Sequence, residues 1–212
     1  TLTLGSGFSM ATSNQRSLPV KKILVLNANP KSSSFCHAIA QTYVAAVGDQ
    51  VEVELLHLAN LQFQLDLHEG YDKPQALEAD LVRVQQLLLW ADHLVLICPV
   101  WWGGMPAKLK GLFDRVLLSG FAFKYHQGQT VPEKLLRGRS AELVLTLDTP
   151  VFWYKWWQRQ PVYYQLTRTI LDFVGIKNQA THYFGPVISA DAAKRAGWLR
   201  QIQQLARRRC GR

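Results

Sequence analysis

The 212-residue chain has few cysteines and no long apolar run. Its three cysteines, Cys36, Cys98 and Cys210, are widely spaced and form no CxxC pair, which argues against a disulfide framework or a zinc site and is typical of a reducing, cytoplasmic location. The six histidines show no metal-ligand spacing, so we expect no metal site. No apolar stretch approaches the roughly 18 residues needed to cross a bilayer, so we expect no membrane insertion.

Acidic residues are also scarce, because 15 Asp and Glu stand against 24 Lys and Arg and give a formal net charge of +9. Many of the cations lie at the end of the last predicted helix, where the helix dipole favours them. No nucleic-acid-binding motif accompanies them, so we expect no nucleic-acid partner. Residues 1–20 are rich in Ser, Thr, Gly and Asn, lack the apolar core of a signal peptide and are interpreted as a disordered leader. Residues 21–212 then form a single domain.

Short apolar runs alternate with segments of helical spacing along the rest of the chain. The predicted strands are Lys22–Asn27, Val51–Leu58, His93–Cys98, Glu142–Leu147 and Thr181–Phe184. The predicted helices are Ser34–Val47, Gln75–Trp90, Pro106–Leu118, Pro161–Val174 and Asp191–Arg209. This alternation predicts an α/β fold, a three-layer sandwich in which helices cover both faces of a five-stranded parallel sheet.

A loop with two tryptophans and two glycines joins the third predicted strand to its helix. Loops at the carboxyl ends of parallel strands are where open α/β sheets bind ligands. Planar side chains and glycine backbone suit a flat aromatic ligand. The candidate binding residues are Pro99, Val100, Trp101, Trp102 and Gly103. The alternative is a hydrophobic turn that packs on a neighbour.

The turn after the first predicted strand, residues 27–35, contains no glycine, which excludes the Gly-x-Gly-x-x-Gly fingerprint and the P-loop. Serine hydroxyls beside the free N–H groups of a helix start can instead bind an anion. The candidates are Asn29, Ser32, Ser34 and Phe35, and the alternative is simple N-capping by a serine.

The two loops together predict one ligand. In a sheet ordered 2-1-3-4-5 they flank the switch point, where such sheets bind their ligands. A ligand with both a phosphate and a planar ring is a flavin nucleotide, and the sequence leaves FMN and FAD open.

Three segments carry a resemblance to the flavodoxin-like NAD(P)H:quinone oxidoreductases: Asn29–Phe35, Pro99–Arg115 and Gly120–Tyr125. The similarity covers roughly Lys22 to Val187. It implies a flavodoxin-like fold and transfer of a hydride from NADH or NADPH, through a bound flavin, to a quinone or similar acceptor. It also implies a homodimer.

The resemblance extends to further site residues, with departures. Asp148-Thr149-Pro150 replaces the Thr-Thr-Gly-Gly turn of the animal enzymes, and Asp148 and Thr149 are expected along the second edge of the flavin ring. Tyr154 is the candidate for the catalytic tyrosine of those enzymes, whereas their histidine has no evident counterpart. Asn29 stands where many members have His, and Cys36 where they have Asn.

The aromatic segment that follows, Phe152–Trp157, is predicted to be a loop, and exposed there it would form an apolar patch that needs a partner. The resemblance implies that this segment forms a dimer interface that also covers the flavin site. Burial within one subunit is the alternative. Two other functions stay open: a flavin-binding regulatory subunit of a potassium efflux system, and a one-electron carrier of the flavodoxin type. The positive net charge counts against the carrier, since flavodoxins are acidic and dock on basic partners.

Overall fold

A computed structural model describes residues 22–210, so the predicted leader, residues 1–20, lies outside the described residues. Within them, the central sheet contains five parallel strands: β1 (Lys22–Asn27), β2 (Glu52–His57), β3 (His93–Pro99), β6 (Ser140–Thr146) and β7 (Lys177–Phe184). Their order is β2-β1-β3-β6-β7, which confirms the predicted 2-1-3-4-5 arrangement. Two short strands that the sequence analysis missed, β4 (Phe123–Lys124) and β5 (Glu133–Lys134), pair separately as an antiparallel hairpin.

Helices cover both faces of the sheet. They are α1 (Phe35–Ala46), α2 (Ala79–Trp90), α3 (Ala107–Val116), α4 (Val151–Trp156), α5 (Pro161–Tyr164), α6 (Asp172–Val174) and α7 (Ala192–Arg209). The apolar sides of α1 and α7 pack on one face, and those of α2, α3 and the α5–α6 region pack on the other. The α/β sandwich predicted from the alternation of elements is therefore confirmed.

Two predicted elements differ in form from the structure. The segment Pro161–Val174 is helical throughout, but its middle, Gln165–Leu171, is π-helical, and Thr167 and Thr169 donate hydroxyl hydrogen bonds to the carbonyls four residues earlier. The aromatic segment is not a loop. It forms α4, whose first residue follows Pro150, a residue that is favoured at helix starts.

A buried arginine explains why α2 begins four residues later than predicted. The sequence predicts Gln75–Trp90, whereas α2 begins at Ala79. Arg115, which has no exposed surface, donates from Nη2 to the carbonyl oxygen of Ala76 and to Oε2 of Glu78, both at 2.8 Å. These contacts hold the residues before Ala79 outside the helix, because a buried guanidinium must be paired.

A cluster of ionisable side chains lies in the core near the amino end of the sheet. Glu142 on β6, 2% exposed, accepts from His182 Nε2 at 2.6 Å and from Arg209 Nη2 at 3.2 Å. His93 is buried beside it, with Nε2 3.7 Å from the carboxylate. Burial alone would raise the pKa of Glu142, but the hydrogen bond from His182, the proximity of His93 and the charge of Arg209 hold that pKa well below its ordinary value.

We expect Glu142→Gln to lower the free energy of unfolding at pH 7 by about 2–4 kcal/mol, because it leaves Arg209 and His182 without their anion. The folded-state pKa of Glu142 lies below the unfolded value, so its stabilisation is complete above pH of about 4.3 and is lost as the pH falls below that value. The free energies of unfolding of the parent and of Glu142→Gln should therefore become similar in acid. Urea unfolding at several pH values measures this.

The matched control for this prediction is Glu133→Gln. Glu133 pairs with His126 at 2.8 Å, but both side chains are exposed, so the substitution should change stability little at any pH. Equal losses for the two variants at pH 7 would contradict the role assigned to Glu142.

Candidate active site

A cleft opens at the carboxyl ends of β1, β3 and β6. Its larger part, of about 910 Å³, is lined by the loop after β3, the loop after β6 and the start of α5. An adjoining part, of about 280 Å³, lies between the loop after β1 and residues 187–188. Val100, Trp101 and Asp148 line both parts, so the two form one continuous site. This is the switch point at which open α/β sheets bind ligands.

The turn after β1, residues 27–35, forms the polar end of the cleft, and we call it the serine turn. Ser34 is the N-cap of α1, and its Oγ accepts from the backbone N–H of His37 at 3.3 Å. Asn29 is 7% exposed, and its Oδ1 accepts from the backbone N–H of Lys31 at 2.9 Å. Asn29, Lys31 and Ser34 all line the cleft. A hydroxyl, an ammonium and the positive end of a helix dipole together form a site for an anion.

The loop after β3 contains Trp101 and Trp102, and we call it the tryptophan loop. It forms a two-residue hairpin turn in the larger part of the cleft, where the flat ring of a ligand is expected. The backbone N–H and C=O groups of Trp101 and Gly104 exchange two hydrogen bonds, at 2.8 and 2.9 Å. The two residues between them have positive φ, +50° at Trp102 and +73° at Gly103. This conformation is typical of a type I′ turn and is unfavourable for a tryptophan. The N–H groups of Trp102 and Gly103 take no part in the two bonds of the turn.

The loop after β6 forms the second wall. Asp148 Oδ1 accepts from the backbone N–H of Ile188 at 3.0 Å, which fixes the segment after β7 against the cleft. Thr149 lines the flat part, together with Gln158 and Pro161. A Cβ built on Gly103 would lie 3.7 Å from Pro161 Cγ, so the two walls approach each other at this point.

The structure brings most of the predicted site residues to this cleft. Those that line it are Asn29, Ser34, Phe35, Pro99, Val100, Trp101, Trp102, Gly103, Asp148 and Thr149. Ser32 is exposed and does not line it. The sequence analysis missed Gln158, Pro161 and Ile188, which come from segments without a motif and reach the cleft only through tertiary packing.

The comparisons with known proteins agree with this geometry. A family model described as the flavodoxin-like fold matches residues 21–206. This chain belongs to the flavodoxin-like fold family. A Haemophilus influenzae protein named as an uncharacterized NAD(P)H oxidoreductase is 31% identical over 180 residues, which cover 82% of this chain and 88% of that protein.

Two further proteins are similar to this chain. An FMN-dependent NADH:quinone oxidoreductase of Caldicellulosiruptor saccharolyticus is 29% identical over 175 residues, covering 76% of this chain and 84% of the relative. The solved structure of an NAD(P)H:quinone oxidoreductase from Methanothermobacter marburgensis is 22% identical and has a TM-score of 0.69, covering 88% of this chain and 96% of that one. This second match supports the fold alone.

In this flavodoxin-like chain, Tyr154 lies beneath the site and not in it. Its side chain has no exposed surface, and its hydroxyl accepts from the backbone N–H of Tyr163 at 3.4 Å. Burial raises the pKa of Tyr154 to about 12. Tyr154 lines neither part of the cleft, and its hydrogen bond with Tyr163 joins α4 to α5. The catalytic role expected for Tyr154 stays a prediction.

Two further structural findings concern membrane-spanning helices and metal sites. Among residues 22–210, no helix is both long enough and apolar enough to cross a bilayer. The same part of the chain contains no group of three or more His, Cys, Asp or Glu side chains arranged to hold a metal ion.

Proposed function

We propose that this chain is a flavin-dependent NAD(P)H:quinone oxidoreductase. The observation that supports the proposal most directly is the continuity of the cleft, in which an anion-binding turn and a flat aromatic pocket meet at one edge of the sheet. A flavin nucleotide has both a phosphate and a planar ring. The names of the relatives, which include a quinone oxidoreductase that depends on FMN, support the same assignment.

The residues present fit a flavin. Ser34, Lys31 and the first N–H groups of α1 would hold its phosphate. The ring would lie against the turn at Trp102 and Gly103, where a glycine with φ of +73° leaves no Cβ in the way. Asp148 and Thr149 would line the opposite edge.

FMN fits better than FAD. The segment that could meet an adenosine, residues 65–71, does not line the cleft. Its first residue, Leu65, packs against α3 instead: its carbonyl oxygen would lie only 2.6 Å from a Cβ built on Gly111. The donor is NADH or NADPH, and the acceptor is a quinone.

The bound flavin would supply the redox chemistry, accepting a hydride and passing it on. The contribution of this chain is position and electrostatics. The N–H groups of Trp102 and Gly103, free of the bonds of the turn, can donate to polar atoms at the ring edge. The indole of Trp101, which lines the cleft, would shield part of the ring from water, and the open side of the cleft would admit nicotinamide and quinone in turn.

The test is anaerobic addition of NADPH or NADH to the FMN-loaded protein, followed by menadione. We expect the visible absorbance of the flavin to bleach and then to return as menadione is reduced. Flavin that stays oxidised with both nucleotides would overturn the proposal. Bleaching without turnover of menadione would favour the regulatory subunit or the electron carrier over the enzyme.

We also propose a homodimer in the cytoplasm. Besides α4, the chain has a second uncovered apolar surface, a depression of about 520 Å³ whose lining includes Phe113, Leu117, Tyr125 and Phe173. Tyr125 is 53% exposed although it is aromatic, which is typical of an interface anchor. The three free cysteines fit a reducing compartment.

We expect Tyr125→Asp to weaken dimerisation at least thirtyfold, because aromatic anchors contribute about 2 kcal/mol or more at interfaces. Sedimentation velocity over a range of concentrations measures this. The comparison variant is Trp153→Ala with Trp156→Ala, which alters the interface that the sequence predicts. A monomer from the tryptophan variant and a dimer from Tyr125→Asp would place the interface on α4 and not on the depression.

A further inference from the structure

A second cavity lies over the outer edge of the sheet, between α4, the edge strand β7 and α7. We call it the edge groove. Its volume of about 410 Å³ falls within the range of roughly 300–1,000 Å³ that is typical of small-molecule sites. Within residues 22–210, the edge groove and the cleft have no lining residue in common. The groove is therefore a separate cavity that the proposed function does not use.

One side of α7 forms the first wall of the edge groove. Ile202 of this helix is buried against the sheet. The residues that line the groove are spaced three or four apart and so share one side of the helix: Gln201, Gln204, Leu205 and Arg208. Three of these four side chains are polar, and Arg208 is exposed. This wall therefore presents hydrogen-bond donors and a cation toward the edge of the sheet.

Helix α4 forms the second wall and contributes a second cation. Lys155 is half-buried, and its Nζ lies over the ring of Tyr183 on β7, 4.3 Å from the ring centroid. An aromatic ring attracts a cation without neutralising its charge. The contact therefore holds the ammonium group at the edge of the sheet, in the same groove as Arg208.

No carboxylate balances these two cations within the part of the chain that the structure describes. None forms an ion pair with Lys155 or Arg208 there. The three bordering elements, α4, β7 and α7, contain no Asp or Glu. Glu142, which accepts from His182 beside the groove, is buried and already paired with Arg209 at 3.2 Å. A cavity lined by charge of one sign attracts ligands of the opposite sign.

The other donors of the groove indicate which anion fits. A lysine binds phosphate as a point charge, and the planar guanidinium of Arg208 can donate two parallel hydrogen bonds to it. The hydroxyl of Thr181 and the amides of Gln201 and Gln204 add neutral donors. A carboxylate has only two acceptor oxygens for all of these groups, whereas two linked phosphates have enough. Cations on two different walls also suit a ligand with two charged groups.

We propose that the edge groove binds a small molecule that carries a diphosphate group, with Lys155 and Arg208 as its counter-charges. Inorganic pyrophosphate and a nucleoside diphosphate both supply this chemistry. Two apolar side chains, Val151 and Leu205, also line the groove and leave a surface for an organic group. The proposal does not rest on the proposed function, because the groove and the cleft are separate cavities.

The first test is calorimetric titration of the FMN-loaded protein with pyrophosphate. FMN occupies the serine turn, which is the other anion site expected in this chain. We expect one pyrophosphate per chain, and Lys155→Gln with Arg208→Gln should weaken its binding at least tenfold. Absence of binding by the parent would overturn the proposal.

The matched control is Arg200→Gln with Arg207→Gln. Both arginines are exposed on α7 and do not line the groove, and the two pairs of substitutions remove the same charge. The control variant should bind pyrophosphate within twofold of the parent, because salt screens exposed charges at a distance. Equal weakening by the two pairs would mean that pyrophosphate responds to net charge and would overturn the site.

Ser34→Asp distinguishes the edge groove from the serine turn in the FMN-free protein. This variant adds a negative charge at the turn, so pyrophosphate should then bind in the groove with the affinity measured for the FMN-loaded parent. Loss of all binding in Ser34→Asp would place pyrophosphate in the cleft and overturn the proposal. Failure of the parent to bind FMN would count against the proposed function, and this comparison would still decide whether the groove binds pyrophosphate.

The second test compares ADP, pyrophosphate and adenosine as ligands of the same FMN-loaded protein. Tighter binding of ADP than of pyrophosphate would assign a nucleotide to the groove, and equal affinities would assign the diphosphate group by itself. Adenosine should bind at least tenfold more weakly than ADP. Equal binding of adenosine and ADP would overturn the proposal, because Lys155 and Arg208 would then have no anion to bind.

Discussion

Gly103→Val is expected to lower the affinity for FMN at least tenfold, which corresponds to about 1.4 kcal/mol. Gly103 has φ of +73°, a region that costs other residues about 1–2 kcal/mol and a β-branched residue more. The new side chain would extend toward Pro161 across the cleft, 3.7 Å from Cγ at its first atom. Titration of the flavin-free protein with FMN, followed by flavin fluorescence, measures the change.

The control is Gly128→Val. Gly128 has φ of +78°, nearly the same conformation, but it lies before β5, has nothing within 4 Å of a built Cβ and does not line the cleft. Both variants should lose similar stability, and the loss of FMN should be confined to Gly103→Val. If both variants bind FMN as the parent does, the tryptophan turn does not contact the ring.

The second large effect on FMN affinity is expected from substitution of Ser34. Asp and Asn cap helices about as well as Ser does, so Ser34→Asp and Ser34→Asn should both keep the stability of α1. They differ by one negative charge beside the proposed phosphate site. Two unit charges about 4 Å apart repel by about 1 kcal/mol in water and about 4 kcal/mol near a protein surface. We therefore expect Ser34→Asp to bind FMN at least tenfold more weakly than Ser34→Asn.

Salt provides the internal check on this comparison. The difference between the two variants should shrink as ionic strength rises, because screening reduces the repulsion. Ser34→Ala should lose about 0.5–2 kcal/mol of stability through the cap alone. Equal FMN affinity for the Asp and Asn variants would mean that the turn is a helix cap and nothing more.

The sequence was sufficient to predict the sheet because its strands are short apolar runs between helices of regular spacing. The prediction was less complete where tertiary contacts determine where an element begins or ends. The sequence predicts the last strand at Thr181–Phe184, whereas β7 begins at Lys177, since an edge strand with one open side needs no apolar pattern at its start. Nothing local in the sequence marks the extended segment that Arg115 holds before α2.

The same division applies to the site. The tryptophan and serine turns could be located because strand, turn and helix are contiguous in sequence. Pro161 and Ile188 could not, because folding brings them in from 58 and 40 residues beyond Gly103 and Asp148 in sequence. Tyr154 follows the motif of related enzymes, yet its direction depends on the turn of α4, which the sequence analysis took for a loop.

Protein synthesis supplies the partners of Glu142 in a fixed order. His93 precedes the carboxylate, His182 follows it by 40 residues, and Arg209 follows it by 67. At roughly 5–20 residues per second, the arginine is made about 3–13 s after the carboxylate. Burial of the carboxylate before that time is costly, because a buried charge needs its counter-charge. We therefore expect the amino end of the sheet and α7 to close last during synthesis, and a nascent chain paused before Arg209 to keep that edge of its core open to water.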